Sequence, residues 1–238
     1  GAGLLVPMED SAAMARAVCG VLTNPGQAAA MGAAGQSIID TRFQFDDYVR
    51  GLLRVVGLPR PRVSVIVPNY NYAHYLPERL ASILGQTCRP FEIIFLDDCS
   101  SDDSVAVATA LLQDSGIAHQ VVVNTVNAGC YAQWLRGFAL ARGELIWIAE
   151  ADDTCDPGLL AALVAGFDDA SVTLAYCQSR KIDAKGQLIR SNYHDYTDSI
   201  SASKWLSPYL RHGVDEICDT LAIKNTIPNA SAVLMRKP

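Results

Sequence analysis

Residues 144–153 read ELIWIAEADD, an apolar run that breaks off in three carboxylates, Glu150, Asp152 and Asp153. A buried strand that releases its acids at its C-terminal end has few folds open to it, because those charges must reach the lip of a sheet, where water or a cation can meet them. In open α/β sheets that lip is where ligands bind. A second apolar run, FEIIFLDD at 91–98, ends the same way in Asp97 and Asp98, and a third, VSVIVPNYN at 63–71, ends in a turn. Three strands delivering polar groups to one edge predict a ligand site there.

From Val63 the chain alternates strand and helix. Strands are expected over 63–67, 92–96, 119–124 and 144–149. Helices are expected over about 76–86, from the SSDDS cluster at 100–104 onward, over about 130–141, and after Asp156-Pro157. Pro77 and Pro157 suit first-turn positions, and Ser101 or Asp102 can cap the helix that follows 104. This alternation argues an α/β fold, a mostly parallel sheet with flanking helices. Right-handed crossovers would align the strand ends on one edge. After 171 the rhythm changes. A strand near 172–183, a hairpin around Lys185-Gly186, a mostly helical stretch over 201–225 and a strand over 230–236 are expected. No closing element follows, and the native polypeptide is expected to continue past Pro238.

Residues 1–60 differ in character. Ala-rich helical spacing covers 9–22, breaks at Asn24-Pro25-Gly26 and resumes over about 27–40. A third helix is expected from Asp46 through DDYVRGLLRVV, then a linker at Gly57, Pro59 and Pro61. The expected division is therefore 1–60, a helical N-terminal segment, and 61–238, the α/β domain.

Glu150, Asp152 and Asp153 would repel one another without a counter-ion, and hard oxygen donors suit Mg²⁺ or Mn²⁺. An ion held by one or two carboxylates usually completes its shell with water and substrate phosphates. Capping of the next helix is the plainer role for an Asp-Asp pair, but Asp156 is already available for that. Asp97 and Asp98 can recognise a ribose or a base N–H, or can simply end a strand in a turn. In VPNYN, Pro68 fixes the turn, Tyr70 offers a face for a base, and Asn69 and Asn71 supply polar contacts or turn geometry.

Several classes are set aside. GxGxxG, GxxxxGK[ST] and GxSxG are all absent, which counts against dinucleotide-binding dehydrogenases, P-loop NTPases and α/β-hydrolases. The net charge is −6, with no basic patch, which argues against nucleic acid as a partner. The seven cysteines are odd in number and scattered, fitting neither a disulfide framework nor a zinc site, so a reduced, cytoplasmic protein is expected. The four histidines have no ligand spacing; His194, within SNYHDY, can contact an acceptor, but an ordinary structural role is the plainer expectation. No run is long enough to span a bilayer.

Taken in order and spacing over about 63–178, these segments resemble the family 2 glycosyltransferases. VSVIVPNYN resembles that family's opening strand and turn. EIIFLDDCSSDDS resembles its second strand and DDGS-type turn, with Cys99 in place of the usual glycine. NAGCYAQWLRGFALARGELIWIAEADD resembles the approach to its DXD element. The resemblance implies a GT-A fold, with Pro68, Asn69 and Tyr70 lining a nucleotide site, Asp98 taking the base and Asn127 near the donor. Asp152 and Asp153 would engage the ribose and a diphosphate-bound Mg²⁺ or Mn²⁺. Glu150 stands where the family usually has its first Asp. The implied function is metal-dependent, inverting transfer of a sugar from a nucleotide-sugar donor, UDP-linked by expectation, to a glycan or lipid-linked acceptor. The setting would be bacterial cell-surface polysaccharide synthesis, with peripheral membrane association left open. The family's catalytic base is expected beyond Pro238; Asp215, Glu216 and Asp219 are only stand-ins. Residues 1–57 resemble the closing segment of a family 4, GT-B glycosyltransferase. Two other readings stay open: a non-catalytic nucleotide-sugar-binding module lacking its base, and a receiver-like phosphoacceptor domain, whose lysine would have to come from the region of Arg180 and Lys181.

Overall fold

The computed structural model describes residues 3–7, 10–42 and 61–237. Its chain divides into two compact units, Gly1–Arg60 and Pro61–Pro238.

In the first unit, α1 (Ser11–Leu22) is capped by Asp10, whose Oδ1 accepts from the Ala13 N–H at 2.7 Å. The predicted break at 24–26 is shorter than expected. Asn24 Oδ1 accepts from Gln27 N–H at 3.1 Å, and α2 (Pro25–Arg42) starts directly at Pro25. Met14, Val18 and Leu22 lie four residues apart on α1 and are all exposed. The third expected helix and the linker fall outside the described residues.

The second unit is a six-stranded sheet of order β3-β2-β1-β4-β8-β5. β1 (Val63–Asn69), β2 (Glu92–Asp97), β3 (Ala118–Val123) and β4 (Leu145–Ile148) are mutually parallel, as expected. β8 (Val233–Arg236) runs antiparallel between β4 and β5 (Leu174–Tyr176), which makes the sheet mixed. Every residue of β1, β2 and β4 is buried, because helices cover both faces. Alternate side chains divide between the faces with the strand period of two. Val63, Val65, Val67, Ile93, Phe95, Leu145 and Trp147 meet α3 (Leu76–Leu84), α4 (Ser104–Gln113) and α6 (Leu159–Ala165) in the larger core. Ile66, Ile94, Leu96 and Ile146 meet α5 (Cys130–Leu140) in the smaller one. Each such aliphatic side chain contributes about 1.5–3 kcal/mol by leaving water. α5 lies so close to the sheet that a Cβ on Gly137 would stand 2.5 Å from Ile66.

The N-terminal edge of the sheet is held by a buried acid. Glu92 accepts from Ser64 Oγ at 2.7 Å, from Arg142 N–H at 2.6 Å and from Arg142 Nε at 2.7 Å. Burial pushes Glu92 up, but these bonds outweigh it and hold the carboxyl below its usual range.

Between β5 and β8 the chain makes a long excursion. It contains the expected hairpin, β6 (Lys181–Ile182) with β7 (Leu188–Arg190), turning at Gly186 with φ 75°. The stretch 201–225 is less helical than its spacing suggested, holding a 3-10 turn at Lys204–Leu206, a short helix Gly213–Glu216 and a π turn Ile217–Leu221. Polar bonds organise it instead. Trp205 Nε1 donates to Tyr176 Oη at 2.9 Å, and Tyr209 Oη donates to Glu216 Oε1 at 3.0 Å. His194 Nε2 lies 3.1 Å from the Trp205 carbonyl, an internal role. The excursion leaves and re-enters at one point, where Cys177 N–H donates to Ala232 O at 3.1 Å.

Candidate nucleotide and metal site

The parallel order places the C-terminal ends of β2, β1 and β4 side by side. Asn69 pairs in register with Asp97, and Ile66 pairs with Ile148, two residues before Glu150. The acid-bearing tips that the sequence predicts therefore share one edge, with β1 between them.

The turns after β1 and β2 are stitched together. Asn69 Nδ2 donates to Asp97 Oδ1 at 2.9 Å and lies 3.2 Å from Ser100 Oγ, which itself donates to Asp97 Oδ1 at 2.6 Å. Ser100 N–H donates to Asp97 Oδ2 at 2.9 Å, and Asn71 N–H to Ser100 Oγ at 2.9 Å. Asp102 Oδ2 accepts from Ala73 N–H at 2.9 Å while its Oδ1 accepts from Ser104 N–H at 3.0 Å, opening α4. Asp97 is fully buried, so its role is the turn. Two non-glycine residues take the left-handed conformation here, Asn71 at φ 58° and Cys99 at φ 66°. That explains why a glycine suits the position of Cys99.

Asp98 is 3% exposed and engaged on both oxygens. Oδ1 accepts from Asn124 Nδ2 at 2.7 Å and Ala128 N–H at 2.9 Å, and Oδ2 from Gly129 N–H at 2.7 Å. Burial pushes its carboxyl up, but the Ala128, Asn124 and Gly129 bonds outweigh it and leave Asp98 below the ordinary carboxylate range. Asp98 is therefore an anion that pins the loop 124–129. Asn127 stands exposed in that same loop, Tyr70 is 47% exposed at the end of β1, and Pro68 is buried within the strand.

On the β4 side, Asp152 is exposed and Asp153 half-buried. Glu150 differs from both. Its Oε1 accepts from Trp134 Nε1 at 2.7 Å, and its N–H donates to Ser231 Oγ at 3.0 Å. Burial pushes the Glu150 carboxyl up; the indole bond opposes this, while Asp152 and Asp153 add to it. The Tyr72 phenol is raised chiefly by Asp152, so the turn after β1 faces that carboxylate. Among the described residues no three His, Cys, Asp or Glu side chains converge as a metal cage. The three-acid cluster thus resolves into two open carboxylates and one engaged internally. Asp156 does not cap α6 with its side chain, which pairs with Arg180 instead.

Sequence reasoning missed Tyr72, Trp134 and Ser231, which act on the acids from 80, 16 and 81 residues away. It also missed Arg79, which sits on α3 among Leu76, Leu80 and Ile83 and is fully buried with them. Its spacing alone marked it, since i and i+4 share a helix face. Beside Trp134 a cleft of about 360 Å³ is lined by Ile148, Ile227, Pro228, Val233 and Met235.

The chain is similar to several known glycosyltransferases. An uncharacterized glycosyltransferase of Nostoc sp. is 36% identical over 111 residues, covering 47% of this chain and 34% of that protein. Glycosyltransferase GlyG of Streptococcus pneumoniae serotype 4 is 33% identical over 139 residues, covering 58% and 40%. The chain thus spans well under two thirds of the relatives it matches. Among solved structures, the mannosyltransferase PcManGT of Pyrobaculum calidifontis, in complex with GDP-Man and Mn2+, aligns at a TM-score of 0.48 with 26% identity, over 56% of this chain and 42% of that one. The Glycosyl transferase family 2 model matches residues 64–224, from the first strand through the segment that carries both acidic tips. With strand order, acidic lip and this match in agreement, the chain belongs to glycosyl transferase family 2.

Proposed function

We propose that this chain carries the donor-binding part of a metal-dependent glycosyltransferase. It would move a sugar, with inversion, from a nucleotide-sugar donor to a glycan or lipid-linked acceptor in bacterial cell-surface polysaccharide synthesis. The observation that carries this is the register: parallel β2, β1 and β4 end together, so a nucleotide lying across β1 can reach the Asp98-pinned loop and Asp152 at once. Two relatives act on such materials by name, a chondroitin synthase of Escherichia coli, 30% identical over 137 residues, and an undecaprenyl-phosphate 4-deoxy-4-formamido-L-arabinose transferase of Serratia proteamaculans, 34% identical over 109.

In this reading Tyr70 stacks on the base, Pro68 and Asn69 shape the floor, and Asn127 approaches the donor from the loop that Asp98 holds. Asp98 then supports base recognition through that loop, in addition to any direct contact. The donor set fits Mg²⁺ or Mn²⁺: Asp152 and Asp153 are hard oxygen ligands open to the lip, and two protein ligands leave room for diphosphate oxygens. Bound there, the ion would neutralise charge on the departing diphosphate. Asp152 and Asp153 would hold it, while Glu150 stays with Trp134, which borders the apolar cleft toward an acceptor. Deprotonation of the acceptor hydroxyl needs a base that we assign to no residue of this chain. No described helix is long and apolar enough to cross a membrane. Residues 1–57 we read, on their resemblance, as the closing segment of a preceding GT-B module, and the exposed Met14, Val18 and Leu22 stripe on α1 is a face that such a module could cover.

Calorimetry with UDP in Mn²⁺, then in EDTA, tests the proposal. Binding should require the ion; equal affinity in EDTA would remove the metal from it.

A further inference from the structure

Arg79 is the one arginine that the fold buries completely, at 0% exposure, among the described residues. Its Nε, Nη1 and Nη2 have no hydrogen-bond partner. A guanidinium stays charged at any working pH and is costly to bury unpaired. Something nearby must compensate for it.

The surroundings identify what does. Arg79 and Ser82 lie one turn apart on α3 and Gln86 just past its end, and this side of the helix grips the segment after the acids. Gln86 Nε2 donates to Asp156 O at 2.8 Å, Gln86 Oε1 accepts from Leu160 N–H at 2.9 Å, and Cys155 Sγ lies 3.4 Å from Ser82 Oγ. One turn earlier, Arg79 therefore lies beneath residues 150–155. Its Cζ stands 5.1 Å from the Trp147 ring, two residues before Ala149 and the lip. Burial lowers its pKa, while Cys155, Asp153 and Glu150 raise it, in that order. No ion pair to Arg79 forms within contact distance among the described residues: the Cys155 sulfur engages it most directly, at the margin of hydrogen-bond geometry, and Asp153 and Glu150 act on it through space. At low local dielectric such fields reach further than they do in water.

We propose that Arg79 is a positioning residue for the acidic lip, a buried fixed cation that holds Glu150 and Asp153 in place before any ligand arrives. It also sets the charge an incoming ion must balance. The lip carries three carboxyl groups, Glu150, Asp152 and Asp153, against one fixed cation. A divalent ion therefore meets a site already partly neutralised, and gains most when a diphosphate supplies the remaining ligands. The first part stands on the fold alone; the second rests on the metal assignment made above.

A double-mutant cycle on the folding equilibrium in EDTA tests the first part. Arg79→Met keeps the stem and removes the charge, and Glu150→Gln keeps the shape of the acid and removes its charge. The loss caused by Arg79→Met should shrink at least about fivefold, in unfolding equilibrium constant, when Glu150 is already Gln. Additive losses would overturn the proposal. Should Arg79→Met fail to fold, Arg79→Met with Glu150→Gln and Asp153→Asn should fold again; a triple variant that stays unfolded overturns it equally. The second part is read by Mn²⁺ titration without nucleotide. Arg79→Met should bind Mn²⁺ about tenfold more tightly than the parent, and Arg79→Lys within about twofold of it. If the parent binds Mn²⁺ and Arg79→Met binds it no better, the charge of Arg79 does not reach the site and the second part fails. If the parent binds no Mn²⁺ even with UDP, it is the metal assignment that fails, and the cycle still decides the first part.

Discussion

Replacing Asp98 by Ala removes three hydrogen bonds to an ionised acceptor, from Asn124, Ala128 and Gly129, at 2.7–2.9 Å. Bonds to charged groups contribute roughly 1.5–3 kcal/mol each. The abandoned backbone donors sit in an exposed loop, where water can replace the carboxylate, so the lower end applies and the bonds are not fully additive. The expected loss for Asp98→Ala is about 3 kcal/mol. Asp98→Asn, which keeps one acceptor oxygen for two or three donors, should lose about half as much. Against a domain stability of about 5–15 kcal/mol both variants remain folded. The damage should also be local: amide exchange at Ala128 and Gly129 should rise by up to about a hundredfold while exchange in β1 and β2 rises only with global stability. Urea unfolding followed by tryptophan fluorescence, with hydrogen exchange read residue by residue, measures both quantities. An unchanged midpoint together with unchanged exchange at 128 and 129 would refute the pinning role. Weaker UDP binding by Asp98→Asn, with the loop still protected, would instead favour direct contact between this carboxylate and the base.

Other expectations are simpler to read. Gly137→Ala should destabilise by about 1–3 kcal/mol, because its Cβ would lie 2.5 Å from Ile66 and push α5 off the sheet, and thermal unfolding measures this. Cys99→Gly should stabilise by about 0.5–1 kcal/mol, since φ 66° costs an L-residue more than glycine's extra unfolded freedom, and a lower midpoint in urea would count against it. Glu92→Gln should cost about 2 kcal/mol at pH 7. Because the folded pKa of Glu92 is depressed, its contribution is complete above the unfolded value of about 4.3 and is lost as pH falls from there through the folded value. The gap between parent and Glu92→Gln should therefore close in acid, and a gap that persists there would show that charge is not the cause.

Much of this fold was legible because β1, β2 and β4 are buried on both faces and so appear as unbroken apolar runs, and because parallel strands must deliver their ends together. The antiparallel β8 was visible as a strand, but its place beside β4 was not, since pairing partners 87 to 91 residues apart leave no local mark. The acids end their strands at one edge, as the apolar runs imply, but their partners cannot be read from neighbouring residues. Asp97 and Asp98 look alike in sequence, yet one closes its own turn and the other holds a loop 26–31 residues further on. Glu150 looked like a third ligand because nothing near it announces Trp134. Arg79 was passed over because a charge within an amphipathic helix ordinarily faces water.

The doorway between Cys177 and Ala232 also matters for how such a protein can change. Everything from 178 to 231 enters and leaves the sheet at one pair of adjacent backbone positions, and side chains add further ties, Trp147 Nε1 to Ser231 O at 2.8 Å, Trp205 Nε1 to Tyr176 Oη at 2.9 Å and Arg180 to Asp156. A segment whose two ends meet at one neck can be lengthened or shortened at its far side without changing the register of the four parallel strands. Selection can then rework the surface that this cassette presents while the acidic edge keeps its spacing.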